Sequence, residues 1–103
     1  MWAQLISAHL KAGKDEELSK LFEELKATEQ PGSGLLRSMS FRDQKDPSRF
    51  FTLVIFDSEE KARAREQDPR RQEGLAGARA TMADVFEGAP EFVDLTVVND
   101  FVP

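Results

Sequence analysis

The hydrophobic positions near the amino end of the chain change period once. Residues 2–10 alternate between two sides, neither of which is cleanly polar, and this pattern predicts a strand covered on both faces. Asp15, Glu16 and Glu17 then occupy the first turn of a predicted helix, where the helix dipole favours negative charge. The hydrophobic residues that follow have the spacing of one helix face: Leu18, Leu21, Phe22 and Leu25. We expect a strand followed by an amphipathic helix.

Two further strands are predicted after a turn at residues 29–34, where one proline and two glycines end the helix. Residues 35–43 alternate and place Leu35 on the same side as Arg37. Residues 50–56 are rich in aromatic and β-branched side chains, which favours a strand. The polar segment 44–48 between the two strands predicts a hairpin turn.

Two helix starts follow the third strand. Asp57 is expected to cap a short helix, and Glu60, three residues further on, would complete a capping box. This helix is predicted to end near Gln67. Asp68 followed by Pro69 then predicts the start of a longer helix, because proline is favoured in the first turn.

The longer helix contains two glycines in its first half. Gly74 and Gly77 weaken a helix by roughly 1 kcal/mol each relative to alanine, so this half either frays or packs closely on another element. Residues 87–90 are expected to end the helix, and residues 92–98 to form the last strand. The predicted buried stripe consists of Leu75, Ala78, Met82, Val85 and Phe86.

The order of elements, β-α-β-β-α-(α)-β, is the split βαβ pattern of a ferredoxin-like α+β fold, an antiparallel sheet with helices on one face. With 103 residues, the chain is predicted to form one domain over residues 1–103. The other face of the sheet also carries apolar side chains on every strand. An exposed patch of that kind indicates a partner, and the simplest partner is a second copy, sheet against sheet.

Composition excludes several classes of protein. The chain has no cysteine and one histidine, which rules out disulfides, thiolate metal sites and multi-histidine metal sites. Its net charge of -5 argues against nucleic-acid binding. We find no apolar run of the roughly 18 residues that a membrane span needs, and no secretion signal in residues 1–12, so we expect a soluble cytoplasmic protein without membrane association.

The charge is uneven along the chain. The stretch from Lys61 to Arg79 carries six basic and three acidic residues, whereas Lys14 to Glu29 carries six acidic and three basic ones. The simpler interpretation is a pair of solvated helix faces. The alternative is a basic rim that attracts an anionic ligand.

The chain resembles the antibiotic biosynthesis monooxygenase domains of the dimeric α+β barrel superfamily. The resemblance rests on "LKAGKDEELSKLFEEL", on "PGSGLLRSMSFRDQKDPSRFFTLVIFDSEEKA" and on "QDPRRQ", in this order along the chain. It implies a ferredoxin-like homodimer joined through the sheet faces. It also implies a cofactor-independent monooxygenase that acts on a small aromatic, quinol or polyketide-like compound.

The resemblance assigns positions for the family's functional residues. Phe56 stands where many relatives have tryptophan at the end of the third strand, and Thr52 stands where the polyketide oxidases have asparagine. Arg65 replaces a histidine found on the short helix of many relatives. The haem-degrading members use an asparagine and a histidine where this chain has Ile6 and Leu75, so no haem or other cofactor is predicted.

The candidate proton carrier is His9, the only side chain whose ordinary pKa lies near neutrality. The alternative is an exposed histidine or one at a dimer contact. Ser38, Ser40 and Thr52 are hydroxyl groups among apolar strand positions and suit a small pocket. Their simpler role is in strand formation and backbone hydrogen bonding.

The candidate cavity wall is apolar. Its residues could line a cavity between sheet and helices, although their spacing is equally that of core residues: Trp2, Phe56, Met82 and Phe86. A second functional hypothesis is therefore a dimer that binds a small hydrophobic or aromatic ligand without turnover. A third is a structural dimer in which the protein's own side chains fill the cavity.

Overall fold

The computed structural model describes residues 1–103 and contains four strands and three helices. Along the chain they are β1 (Trp2–Leu10), α1 (Asp15–Ala27), β2 (Leu35–Arg42), β3 (Arg49–Phe56), α2 (Glu59–Glu66), α3 (Pro69–Val85) and β4 (Phe86–Thr96). The strands form one antiparallel sheet in the order β2-β3-β1-β4, and the helices pack on one face of it. The predicted ferredoxin-like α+β fold is confirmed.

The two central strands carry the residues that hold the helices. Trp2 lies opposite Phe56 and Ala8 opposite Phe50, so the even-numbered side chains of β1 and β3 share the helix face. The main core lies at one end of this face and contains seven buried residues: Leu10, Leu18, Leu21, Phe50, Leu75, Ala78 and Val85. A smaller cluster of Trp2, Phe56 and Ala62 lies at the other end, under α2.

Close packing of α1 on α3 depends on Gly74. A Cβ atom built at this glycine would lie 2.9 Å from Cγ2 of Thr28, which is itself buried just after α1. Of the two roles expected for the glycine-containing half of α3, close packing is therefore the one observed. The buried stripe of α3 includes Thr81, whose hydroxyl donates to Glu24 of α1 at 2.8 Å, whereas the predicted Met82 is only partly buried.

The cap of α2 was predicted one residue too early. Ser58, not Asp57, is the N-cap, and its Oγ accepts a hydrogen bond from the Lys61 amide at 3.2 Å. The Asp57 carboxylate is engaged elsewhere, because it accepts from Lys61 Nζ at 2.6 Å. The capping box with Glu60 is therefore wrong, while the cap and proline start at Asp68 and Pro69 are confirmed.

The last strand begins earlier than predicted. Residues 87–90 do not separate α3 from the strand but belong to β4 itself, which starts at Phe86 and ends at Thr96. Gly88 has a φ of 74°, and the register to β1 shifts between Ser7 and His9, so the strand passes this segment as a bulge. Pro90 is tolerated because β4 is an edge strand.

Strand β2 contains a second register shift, between Leu35 and Arg37. Leu35 pairs with Phe56 and packs against the Trp2 cluster on the helix face. The prediction that Leu35 shares the side of Arg37 is wrong, because the shift removes the alternation at this point.

None of the three helices combines the length and the hydrophobicity that a bilayer-spanning helix requires.

Candidate active site

The helix face of the sheet has a partly uncovered strip between its two clusters. Ile6 lies opposite Thr52 on one side and opposite Phe92 on the other, so these three side chains share the middle of the face. Ile6 and Thr52 are only partly buried, and Phe92 is 59% exposed. The middle of the sheet is therefore the place on this face where a ligand can reach the strands.

A pair of hydroxyl groups lies at this strip. Ser40 on β2 is opposite Thr52 on β3, and their oxygens are 3.0 Å apart. Each hydroxyl can both donate and accept, so the pair keeps capacity for a carbonyl or a phenol of a ligand. The sequence placed both residues in the candidate pocket, and the structure brings them together.

A groove of about 370 Å³ opens beside the hydroxyl pair, between α1 and the β2 edge of the sheet. This volume lies in the range of roughly 300–1,000 Å³ common for small-molecule sites. Its lining combines apolar and polar residues: Asp15, Leu18, Ser19, Phe22, Ser40, Phe41, Arg42 and Phe50. Arg42 and Asp15 are paired at 2.9 Å, so their charges largely neutralise each other.

The contribution of α1 to the groove was missed by sequence reasoning. Phe22 has the spacing of an ordinary core residue, yet it lines the groove and stacks on Phe50 with ring centroids 6.1 Å apart. Nothing in the helical pattern distinguishes a residue on the buried stripe from one at its margin. Phe92 was also missed, because the last strand was predicted to start there.

Phe56 and Trp2 lie together, but apart from the groove. Their rings are 5.9 Å apart, and only 3% and 7% of the two residues are exposed. Two guanidinium groups of α2 cover the rings, Arg65 over Phe56 at 5.4 Å and Arg63 over Trp2 at 5.0 Å. Cation–π contacts of this kind add to the packing.

The remaining candidates are spread over both faces. Met82 and Phe86 are partly buried against the main core, and Phe86 is 5.4 Å from Phe50. Ser38 lies opposite Val54 on the helix face and is exposed. His9 is exposed on the other face of the sheet, opposite Arg49 and Glu87, so the structure does not bring it to the groove.

Arg65 and Glu29 form the most buried ion pair of the protein. The guanidinium donates to both carboxylate oxygens, with a shortest distance of 2.7 Å. Burial acts to raise the pKa of Glu29, but hydrogen bonds from Arg65 and Ser33 outweigh it and lower that pKa below its ordinary value. Glu29 is therefore held as a carboxylate, and Arg65 is not free to bind a ligand by itself.

The arrangement favours binding more than acid–base chemistry. The hydroxyl pair and the aromatic residues can orient an aromatic molecule, but the ionisable residues of the groove are one carboxylate and one guanidinium paired with each other. The chain also has no group of three or more histidine, cysteine or acidic residues placed to hold a metal ion. Fold and site together define a ferredoxin-like domain with an open groove between its sheet and first helix.

The family follows from the sequence itself. The model of the family described as antibiotic biosynthesis monooxygenase matches residues 1–77, which is most of the chain, and the protein belongs to this family. The resemblance inferred from the motifs is thereby confirmed. Comparison of the sequence with curated proteins gives no significant match.

Solved structures of similar fold cover nearly the whole chain. MhuD, in a variant crystallised with two manganese protoporphyrin IX molecules per active site, superposes with a TM-score of 0.80 and is 23% identical over 100% of both chains. A protein from Nitrosomonas europaea described as an antibiotic biosynthesis monooxygenase has a TM-score of 0.73 and 18% identity, over 96% of this chain and 100% of that one.

A third similar structure is SnoaB, described as a cofactor-independent oxygenase from Streptomyces nogalater. Its TM-score is 0.72 and its identity 15%, over 96% of this chain and 94% of that one. Similarities at these identities establish a common fold.

Proposed function

We propose that the protein is a cofactor-independent monooxygenase that acts on a small aromatic, quinol or polyketide-like compound bound in the groove between α1 and the sheet. The single observation that carries the proposal is the uncovered strip of the sheet, with the Ser40 and Thr52 hydroxyls at its β2 end and an apolar wall beside them. Family membership and the structural similarity to SnoaB, a cofactor-independent oxygenase, support this type of reaction.

The groove suits an electron-rich ring. Leu18, Phe22 and Phe50 offer an apolar surface against which a ring can lie, and the hydroxyl pair can hold one polar substituent in a fixed orientation. When O₂ converts a methylene group to a carbonyl, one oxygen atom stays in the carbonyl and the other leaves as water with both methylene hydrogens. The methylene carbon itself supplies all the electrons that O₂ takes up, so no external reductant is needed. Because the groove contains no unpaired base, the acidic proton of the substrate would pass to solvent water before the resulting anion reacts with O₂.

The second candidate is a protein that binds such a compound without turnover. It is favoured by the absence of an unpaired acid or base in the groove, where Asp15 and Arg42 neutralise each other, and by the position of His9 on the opposite face. The site residues predicted from the sequence would then have two different roles. Ser40 and Thr52 would contact the ligand, whereas Trp2 and Phe56 would support the site by packing.

We further propose that the protein forms a homodimer through the open face of the sheet. The centre of this face is apolar, and Phe41 and Val93 are each 47% exposed on it. Arg37 and Arg49 lie on the side of β2 and β3, and Glu87 lies with Glu91 on β4. A twofold axis parallel to the strands would bring the basic side of one copy over the acidic side of the other.

Cytoplasmic location stays a prediction from the sequence.

The test of function combines binding with oxygen uptake. The purified protein is incubated with quinols and polycyclic phenols, retained ligand is detected by native mass spectrometry, and oxygen consumption is followed with an electrode. Thr52→Val removes one hydroxyl of the pair with little change in shape. Thr96→Val makes the same change on β4, outside the groove, and serves as the control.

Each outcome discriminates between the candidates. Oxygen uptake that falls at least about tenfold in Thr52→Val and not in Thr96→Val supports the oxygenase. A retained ligand without oxygen uptake supports the binding protein. A protein that retains none of these compounds contradicts both and leaves the structural dimer.

A further inference from the structure

A second pocket lies at the other end of the helix layer, away from the groove. It has a volume of about 130 Å³ and is enclosed by the turn after α1, by α2 and by the start of α3. Its lining is polar and carries an excess of positive charge, with four cationic side chains and a single acidic one among ten residues. The cationic residues are Lys61, Arg65, Arg70 and Arg71, all from the basic stretch that the sequence singles out.

Three of these four cations are already paired with carboxylates of the chain. The pairs are Lys61 with Asp57 at 2.6 Å, Arg65 with Glu29 at 2.7 Å and Arg70 with Asp68 at 2.8 Å. Asp68, the acidic residue of the pocket, is also occupied as the N-cap of α3. The pocket thus contains no free carboxylate that could neutralise a fourth cation.

Arg71 is that fourth cation, and nothing in the chain pairs with it. It makes no ion pair within 4.0 Å, and its Nε atom is shielded from solvent without any hydrogen-bond partner. Burial, with the neighbouring Arg65 charge adding to it, lowers the pKa of Arg71, although the charges of Glu29 and Glu66 act in the opposite direction. A shielded guanidinium donor without a partner costs free energy, and such exceptions call for an explanation.

We propose that this pocket is a binding site for a small oxyanion, a carboxylate or phosphate group, with the Arg71 guanidinium as the principal binding group. The planar guanidinium fork matches the oxygens of either group, and Arg71 is the one cation of the pocket that no carboxylate of the chain pairs with. The pocket has the volume of only a few water molecules, at roughly 30 Å³ each in the liquid. It therefore suits a charged group or a very small acid, and not an aromatic ring.

The proposal does not depend on the proposed oxygenase function. Arg65 lines the pocket and covers the ring of Phe56, which lies apart from the groove. The pocket and the groove share no lining residue. An anion at Arg71 would thus occupy a second site, and its binding can be measured whether or not the protein consumes oxygen.

The experiment measures binding of inorganic phosphate and of malonate to the full chain. Both are titrated by NMR at constant ionic strength, with the backbone amides and the arginine Nε–H signals as probes. Arg71→Gln removes the one unpaired positive charge of the pocket. Arg79→Gln makes the same change in net charge on the same helix, at a residue outside the pocket, and is the matched control.

The expected result is saturable shifts at Arg71 and the residues around it, weakened at least about tenfold in Arg71→Gln and unchanged in Arg79→Gln. Stronger binding of phosphate would identify a phosphoryl group as the natural ligand, and stronger binding of malonate a carboxylate. Absence of saturable shifts, or equal weakening by the two variants, would overturn the proposal.

A second measurement separates binding from a structural role. Without added anion, Arg71→Gln should unfold at the same or a higher temperature than the wild type, because it removes an uncompensated charge. Added phosphate should raise the unfolding temperature of the wild type and not that of the variant. A lower unfolding temperature of Arg71→Gln in anion-free buffer would instead show a structural arginine and overturn the proposal.

Discussion

Phe56 lies where β3 ends and the chain turns toward α2, a position that serves either a core or a site wall. Its side chain is 3% exposed and is enclosed by Trp2, Ala62 and the Arg65 guanidinium. A ring so enclosed contributes to stability through dispersion and the loss of exposed apolar surface. Its role in the proposed site is therefore to hold the end of the sheet in place.

Phe56→Ala is expected to lower the free energy of unfolding by about 3–5 kcal/mol, as is usual when a buried phenylalanine is truncated. The matched control is Phe92→Ala, because Phe92 is 59% exposed on the same face and its loss should change stability by only about 0.5 kcal/mol. Urea unfolding of the three proteins measures both values. Similar small losses in the two variants would show that Phe56 is not a core residue.

Glu29, a second single residue, makes a pH-dependent contribution to the stability of the folded protein. Its pKa is lowered in the folded state from an ordinary value of 4.5, so the Arg65 pair stabilises the protein above about pH 4.5 and the contribution is lost as pH falls through the folded pKa. We expect Glu29→Gln to lower the free energy of unfolding by about 1 kcal/mol at pH 7, a value reduced for the partial exposure of the pair. The difference from wild type should shrink below pH 4.5.

The control for that measurement is Glu23→Gln. Glu23 pairs with Lys26 at 3.2 Å, but both side chains are 74% exposed, so its loss should matter little at any pH. Urea unfolding at several pH values gives the comparison. A pH-independent difference between Glu29→Gln and the wild type would contradict the assignment of the effect to ionised Glu29.

At the scale of elements, the contact between α1 and α3 is set by a glycine whose role depends on its neighbour. Alanine in place of an interior helix glycine normally stabilises by about 1 kcal/mol. Gly77→Ala should show this gain, because the nearest atom to an added Cβ is Glu24 Oε2 at 3.8 Å. Gly74→Ala should instead lose about 1–3 kcal/mol, because the added Cβ would lie 2.9 Å from Thr28 Cγ2.

The double variant Gly74→Ala, Thr28→Ser tests that reason. Serine keeps the hydroxyl that donates to the Leu25 carbonyl at 2.7 Å and removes the clashing methyl group. We expect it to recover most of the stability lost in Gly74→Ala, as measured by urea unfolding. Equal gains from Gly74→Ala and Gly77→Ala would contradict the close contact.

Two elements also show how a competing contact overrides a single local signal. Gly88 and Pro90 look like a helix end and a loop, yet they lie inside β4, because pairing with β1 holds the segment and a bulge absorbs the glycine. Likewise, Asp57 has the right residue type for a helix cap, but its carboxylate binds the Lys61 side chain and Ser58 caps α2. The sequence pattern alone does not show which of several possible partners a side chain or strand segment binds.

At the scale of the whole molecule, the open apolar face is the proposed dimer interface. Leu53 lies on β3 between Leu5 and Met39 of the neighbouring strands, so it sits near the middle of that face. We expect the wild type to sediment as a dimer and Leu53→Lys to weaken dimerisation at least about tenfold, because a lysine would bury an unpaired charge. Ala76→Lys adds the same charge on the exposed side of α3 and should remain dimeric.

Analytical ultracentrifugation measures the oligomeric state, and circular dichroism confirms that each variant is folded. A wild type that sediments as a monomer would contradict the dimer directly. A folded Leu53→Lys variant that stays dimeric would place the interface elsewhere.

The alternation of β1, the amphipathic stripe of α1 and the cap with proline at Asp68 were readable from the sequence, because each depends on residues a few positions apart. Their order was enough to predict the sheet and its open face. The pairing of Ser40 with Thr52 also agreed with the residue types chosen for a pocket. The groove itself and the unpaired Arg71 were decided only in three dimensions, because they depend on which side chains α1, α2 and α3 leave uncovered and unpaired once they pack.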